Sequence, residues 1–360
     1  MNKLRWGILS TANIASKNWK AIHASGNCTV AAVASRNLER GREFIRQGQS
    51  EAAFETPPVA LGGYEELLAS KDVDAVYIPL PTGLRKSWVL RAAAAGKHVL
   101  CEKPCGLNVA EVREMIDACR KNRVQFMDGV MFMHNPRLQR LRELLDDGAS
   151  IGRIKRIMSI FTFCVGADFF QANIRVHSEL EPTGCLGDLG WYCIRFSLWA
   201  MNWQLPRAVT GRILSQRGNS LSPAPAATDF SGELIFNDET SAGFYSSFLA
   251  EKQQWVDVSG TKGHFLVSDF VHPFSDHEPS FALNHREVRV KCCDCPGSHS
   301  DTRAYAQDVS MFRNFANQIR SGRLDESWPE MALKTQQVMD ACFESAKQNG
   351  ALVEISAARP

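Results

Sequence analysis

Two short stretches carry side chains that could do chemistry. In "GKHVLCEKPCGLNVAEV", residues 96–112, an apolar run Val99-Leu100-Cys101 stops abruptly at Glu102-Lys103-Pro104, an acid, a base and a proline side by side. A strand ending this way presents charged groups at its carboxyl end, the edge where ligands bind in open α/β sheets. In "GCLGDLGWYCIRF", residues 184–196, Asp188 precedes Tyr192 by four positions, which sets a carboxylate and a phenol on one face of a helix. By itself such a tyrosine is a half-buried helix aromatic. It becomes an acid/base when a neighbouring group shifts its pKa toward neutrality.

Three further stretches have the makings of a dinucleotide site. The first is Leu9-Ser10-Thr11-Ala12-Asn13-Ile14-Ala15, where the G-x-G-x-x-G/A frame of a strand-turn-helix reads S-x-A-x-x-A. Helix N-terminal N–H groups and the helix dipole favour a pyrophosphate at such a turn, and small residues let the backbone come close. The same pattern also suits an ordinary first βα turn. The second is Ser35-Arg36-Asn37, at the tip of the second strand. An acid there would bind a ribose 2′-hydroxyl, whereas an Arg accommodates a 2′-phosphate, so Arg36 favours NADP with NAD as the alternative. The third is "IPLPTGLRKSW", residues 78–88, in which Pro79 and Pro81 bend the chain off the sheet edge. Thr82 is a candidate cap for the helix that follows, and Leu80, Leu84 and Arg85 complete the candidate cofactor contacts.

The elements that must position these residues follow from periodicity. Apolar runs at 4–9, 28–35, 73–80, 97–102 and 124–130 read as strands. Between them lie helix-like stretches at about 12–24, 38–45 and 83–96, and one starting at Asn108 with Val112, Met115, Ile116 and Cys119 on its apolar face. Strands alternating with helices predict a doubly wound parallel sheet over residues 1–128. After "HNPRLQRLRELLDDG" the pattern changes, and strand follows strand from "GRIKRIMSIFTF" to "REVRVKCC". Residues 129–360 are therefore expected to form an α+β domain with an open-faced, mainly antiparallel sheet, closed by helices at about 304–320 and 330–348. Phe230, Gly232, Leu234 and Phe236 alternate onto its covered face. The uncovered face is a candidate surface for a homodimer or homotetramer.

The bulk numbers narrow the class. A chain of 360 residues is more than one core usually serves. With 44% hydrophobic and 22% charged residues and a net charge of +2, nothing draws it to nucleic acid or a membrane. No secretory or transmembrane pattern is visible in "MNKLRWGILSTANIASKN", so a cytoplasmic protein is expected. Eleven scattered cysteines suit reduced thiols. Cys292, Cys293 and Cys295 with His299 hold the ingredients of a zinc site, but lack a C-x-x-C pair and a second pair elsewhere, so no metal is expected.

Taken together, Glu102-Lys103-Pro104, residues 184–196, "HNPRL" and the C-terminal helices resemble the Gfo/Idh/MocA family of oxidoreductases in order and spacing over nearly the whole chain. Within it, the Tyr192 form of the second motif and Val33-Ala34-Ser35-Arg36 are similar to the branch of dimeric dihydrodiol dehydrogenases and NADP-dependent xylose 1-dehydrogenases. The resemblance implies a Rossmann domain followed by the open-faced sheet domain. It places Glu102, Lys103 and Pro104 beside a nicotinamide, with Lys103 on the substrate hydroxyl and Tyr192 as its partner. Asp188 would hold Lys103 or the substrate. A cation beside a tyrosine lowers the phenol pKa and makes it a better acid/base near neutrality. Three departures from the family stand out: Ser10 and Ala12 replace glycines, Arg85 stands where many relatives carry His, and Met133-His134-Asn135-Pro136 replaces Arg-Phe-x-Pro. The first bears on cofactor affinity and the others on substrate identity.

The expected activity is NADP-dependent hydride transfer at a hydroxyl or carbonyl carbon of a sugar, cyclic polyol or trans-dihydrodiol. Two other activities occur on this fold: a non-catalytic NADP-binding regulator, and an NAD-dependent glycosidase using transient sugar oxidation. Arg175 and His177, in the loop before the Asp188 helix, are candidate substrate contacts or solvated loop residues. Met131 and Phe132 are candidates for an apolar pocket wall, or for the core.

Overall fold

The alternating N-terminal pattern builds a six-stranded sheet. In the computed structural model, which describes residues 3–218, 222–273, 279–290 and 306–355, its strands are β1 (Leu4–Leu9), β2 (Cys28–Ala34), β3 (Val59–Leu61), β4 (Ala75–Ile78), β5 (His98–Cys101) and β6 (Phe126–Asp128). They lie in the order β3-β2-β1-β4-β5-β6, all parallel. The order reverses between β1 and β4, which opens a crevice at the carboxyl ends of the strands. The connecting helices are α1 (Asn13–Ala24), α2 (Leu38–Glu51), α3 (Tyr64–Ala69), α4 (Thr82–Ala94) and α5 (Val109–Lys121). Because helices cover both faces, β4 is buried along its whole length. Both β3 and α3 lie in a stretch with no clear periodic signal.

The chain divides into two compact units. The first takes in everything through Gly106, Ala110–Asn135, and a late segment ending at Ala332. The sequence boundary was expected at residue 128; the units instead part between Asn135 and Pro136. The late segment holds α9 (Ala306–Arg320). Its place in the first unit has a physical cause: Phe312 and Phe315 each set their rings 5.1 Å from the buried Trp6 of β1.

The second unit comprises Leu107–Val109, the chain from Pro136, and the segment from Leu333. Its elements are α6 (Arg137–Asp146), β7 (Ile154–Thr162), α7 (Phe169–Ala172), α8 (Trp191–Ala200), β8 (Ala208–Arg217), β9 (Ala226–Asn237), β10 (Thr240–Ser247), β11 (Gln253–Gly260), β12 (His264–Val267), β13 (Ser280–Leu283), β14 (Arg286–Arg289), most of α10 (Ser327–Lys347) and β15 (Val353–Glu354). The nine-stranded sheet runs β14-β13-β12-β11-β7-β10-β9-β8-β15, and β7/β10 is its one parallel pair among the described residues. Phe230, Gly232, Leu234 and Phe236 face the covered side, as the alternation predicts. Helix α8 is buried at all ten positions. Helix α10 lies so close to β8 that a Cβ on Gly211 would meet the Cys342 carbonyl oxygen at 2.1 Å.

Among the described residues of this unit, the other face carries half-buried and exposed side chains. The strand register lines up Thr210, Glu233, Gly243, Met158, Asp257 and Leu266 across it as one continuous row. Met158, Ile160, Trp255 and Leu266 are half-buried apolar groups on this face, interspersed with Arg156, Glu233 and Asp257.

Candidate active site

At the first βα turn the lost glycine has left its backbone shape behind. Ser10 has φ of 110°, a conformation that non-glycine residues seldom adopt. Its hydroxyl accepts a 3.3 Å hydrogen bond from the Ala12 N–H. The following helix α1 has no side-chain cap and no acid in its first turn, and Thr11, Ala12, Asn13 and Ile14 all reach the surface. Uncapped N–H groups at a helix N-terminus suit a pyrophosphate. At the tip of β2, Arg36 is exposed and forms no ion pair among the described residues. Its neighbours are occupied with the backbone. Asn37 caps α2 by accepting from Arg40 N–H at 3.1 Å, and the Ser35 hydroxyl accepts from Asn37 N–H at 3.2 Å. These residues fit a dinucleotide bearing a 2′-phosphate.

The loop after β4 corrects one expectation. Thr82 is the first residue of α4 rather than its cap; Pro81 holds the cap position and offers no side-chain bond. Arg85 turns inward and is only 6% exposed. Its Nε donates to the Leu80 carbonyl at 2.6 Å, and its Nη1 donates to Thr82 Oγ1 at 2.9 Å and to the Pro104 carbonyl. Its bonds thus go to protein backbone and to Thr82, so the Arg85 guanidinium braces this loop. Pro79, Leu80 and Thr82 are buried, whereas Leu84 is 41% exposed and Pro81 partly so.

Glu102-Lys103-Pro104 leaves the end of β5 with a cis Lys103–Pro104 peptide. Glu102 is anchored: Tyr77 Oη in β4 donates to its Oε1 at 2.6 Å, and its Oε2 accepts from Lys103 N–H at 3.3 Å. Burial, then the Glu102 carboxylate, push the Tyr77 phenol pKa well above its usual value, so this hydroxyl stays protonated and remains a donor. Lys103 itself is half-buried. Sequence reasoning did not single out Tyr77 or its bond to Glu102. The signal was present, because a tyrosine inside the aliphatic run "VDAVYIPL" needs a hydroxyl partner when buried.

In the second unit Asp188 sits in a π-helical turn, Leu186–Gly190, that leads directly into α8. Such turns widen a helix locally and recur at functional sites. Arg175 Nε lies 2.8 Å from Asp188 Oδ2. The Asp188 carboxylate is the main cause that raises the Arg175 pKa, with lesser contributions from Glu181 and Tyr192. Arg175, Asp188 and Tyr192 therefore form one cluster, which the i, i+4 spacing of the last two anticipates. Tyr192 is 6% exposed, its ring 5.5 Å from that of Phe161 and edge-on to it. His177 is half-buried, and its Nδ1 accepts from the Glu179 N–H at 3.3 Å within the same turn. Met131 and Phe132 are 5% and 1% exposed, in a 3-10 turn of the first unit. They take the core alternative rather than that of a pocket wall, since an apolar side chain this deep offers little surface to a ligand. Cys292, Cys293, Cys295 and His299 lie outside the described residues. Among the described residues no group of acids, thiols and imidazoles could hold a metal.

A parallel sheet with a switch point and a dinucleotide-type turn place the chain in the doubly wound, nucleotide-binding class. Comparison with known proteins makes this definite. Residues 4–130 match the model of the oxidoreductase family with an NAD-binding Rossmann fold, and residues 138–266 match the Gfo/Idh/MocA C-terminal domain. The chain belongs to the Gfo/Idh/MocA family of oxidoreductases. It is 31% identical over 358 residues to D-xylose 1-dehydrogenase (NADP(+)) 2 of Haloferax volcanii, covering 98% of this chain and 100% of that one. It is 31% identical over 269 residues to the trans-1,2-dihydrobenzene-1,2-diol dehydrogenase of Xenopus laevis, covering 74% and 76%. A solved structure of a 3-ketoreductase from Actinomadura kijaniata, in complex with NADP and TDP-benzene, shares the fold with a TM-score of 0.79. That pair is 23% identical, with 96% and 98% of the two chains covered.

Proposed function

We propose that this protein is an NADP-dependent oxidoreductase acting on a secondary hydroxyl, or the matching carbonyl, of a sugar, cyclic polyol or trans-dihydrodiol. The observation that carries the reading is the pairing of Arg175 with Asp188, which stands four residues before the buried Tyr192. The relatives' names supply the substrate class and point to NADP. When bound, the nicotinamide of NADP accepts or returns a hydride. The chain's own residues handle binding and the proton. The α1 N-terminus and Arg36 hold the phosphates, the first through N–H groups and the second through charge. Lys103 donates to the substrate hydroxyl oxygen and stabilises negative charge there. Tyr192 takes the hydroxyl proton during oxidation and returns it during reduction. Asp188 holds Arg175 in place through their ion pair.

The test is reduction of NADP⁺ with a panel of sugars, inositols and dihydrodiols. Tyr192→Phe removes one oxygen and should lower turnover by about 10²–10⁴-fold at unchanged NADPH affinity, as for a positioned acid/base. Wild-type turnover in that variant would strike the tyrosine from the mechanism. NADPH binding without turnover on any substrate would favour a regulator.

The assembly belongs to the same reading: a homodimer, or a dimer of dimers, through the uncovered sheet face. Met158, Ile160, Trp255 and Leu266 supply its apolar centre. A cytoplasmic location fits the absence of disulfides among the described residues, where eight cysteines are free.

A further inference from the structure

We infer that Tyr77 and Arg85 are positioning residues that clamp the Lys103 loop from its two ends, so that the lysine is presented by buried side chains of neighbouring elements rather than by its own strand alone. The inference rests on the assignment of Lys103 to the substrate hydroxyl. Lys103 follows the last residues of β5, and a loop leaving a strand end has only its backbone to hold it. Here each side of the lysine is tied. On its N-terminal side, Glu102 accepts the Tyr77 hydroxyl at 2.6 Å and the Lys103 N–H at 3.3 Å, while Glu102 N–H donates to the Ile78 carbonyl at 3.2 Å. The carboxylate also lies flat against Gly129, where an added Cβ would stand 3.1 Å from Oε1. On its C-terminal side, the Pro104 carbonyl accepts from Arg85 Nη1 and, at 3.5 Å, from the Thr82 hydroxyl. Tyr77 and Arg85 are 0% and 6% exposed, so neither is a surface contact that solvent could replace.

The clamp reaches further. Asn18, 1% exposed on α1, lies against the Tyr77 hydroxyl. The planar fork of Arg85 bonds the Leu80 and Pro104 carbonyls together.

The test compares the wild-type chain with Tyr77→Phe, Glu102→Gln, Lys103→Met and the Tyr77→Phe/Lys103→Met double variant. Tyr77→Phe keeps the ring and removes the donor to Glu102; Glu102→Gln keeps the shape and removes the charge, in case the first variant folds poorly. Lysines are labelled by reductive ¹³C-methylation, and the Lys103 resonance is identified by its loss in Lys103→Met. In the wild type that resonance is expected away from the surface-lysine envelope, and in Tyr77→Phe and Glu102→Gln it should move toward the envelope. With NADP⁺ and D-xylose as the probe substrate, kcat in Tyr77→Phe should fall by about 10–100-fold, the usual effect of a small displacement of a reacting group. NADPH affinity should stay within about threefold, a change below the tenfold that 1.4 kcal/mol represents. In the Lys103→Met background the same change should have almost no further effect. An unmoved Lys103 resonance in both variants would overturn the clamp. A lowered melting temperature with an unmoved resonance would likewise overturn it, leaving Tyr77 a purely structural residue. Full activity in Lys103→Met alone would instead overturn the role of Lys103 and leave the clamp to be judged on the resonance.

Discussion

Replacing Asp340 by asparagine should stabilise the protein above neutral pH and do much less at acid pH. Asp340 lies on α10, where its Oδ2 accepts from the Val109 N–H at 2.6 Å and its Oδ1 from Gln336 Nε2 at 2.7 Å. Burial outweighs these two bonds and raises the carboxyl pKa from 3.8 to about 6. The folded protein thus binds more protons than the unfolded chain between these values, and stability is full below the unfolded pKa and is lost as pH rises through the folded one. The shift from 3.8 to about 6 corresponds to about 3 kcal/mol between fully acid and neutral conditions. At pH 5 roughly half of that, about 1.4 kcal/mol, is still retained. An asparagine is neutral throughout and can keep the bond from Val109. Gln336 Oε1, buried and without a hydrogen-bond partner among the described residues, can turn to accept from the new amide. Urea unfolding of both proteins at pH 5 and pH 8 is the assay. The variant should gain about 1–2 kcal/mol at pH 8, and its advantage should shrink by about 1.4 kcal/mol at pH 5. A difference between variant and wild type that is the same at both pH values would refute the reasoning.

Two other outcomes follow from the structure. Arg36→Ala should weaken NADP binding by about 10–100-fold, as for loss of one charge-assisted contact, while leaving NAD binding nearly unchanged; equal losses for both cofactors, measured by fluorescence titration, would show that Arg36 does not read the 2′-phosphate. Ile160→Arg places a charge in the middle of the uncovered sheet face and should convert an assembled protein to the 40.1 kDa species in sedimentation at micromolar concentration, with NADPH affinity intact; a wild-type protein that sediments only as that species would remove the proposed interface.

Much of the architecture was legible because it is written in local periodicity. Apolar runs separated by amphipathic helices can satisfy themselves only as a covered parallel sheet, and the alternation at Phe230 to Phe236 can only present one dry face. The short strands β3 and β13 lie in stretches that carry no clear periodic signal of their own. The serine at position 10 shows how a motif can misinform: the glycine is absent, yet the turn keeps the positive φ that glycine would have adopted without strain.

For the candidate site, the sequence by itself determined which residue types stand at which element ends: Lys103 beyond β5, Arg36 beyond β2, and Asp188 one turn before Tyr192. These are properties of chain order, and order alone sets them. Tertiary structure decided what each of them touches. Arg85 turned inward because the Leu80 and Pro104 carbonyls were brought within reach of one guanidinium, and α9 joined the first unit because Trp6 needed cover. Met131 and Phe132 became core for the same reason, since apolar surface is buried by whatever packs against it and not by its neighbours in the chain. The partners of Tyr77, 25 residues from Glu102, and of Arg175, 13 residues before Asp188, are set by packing across elements, which no local pattern encodes.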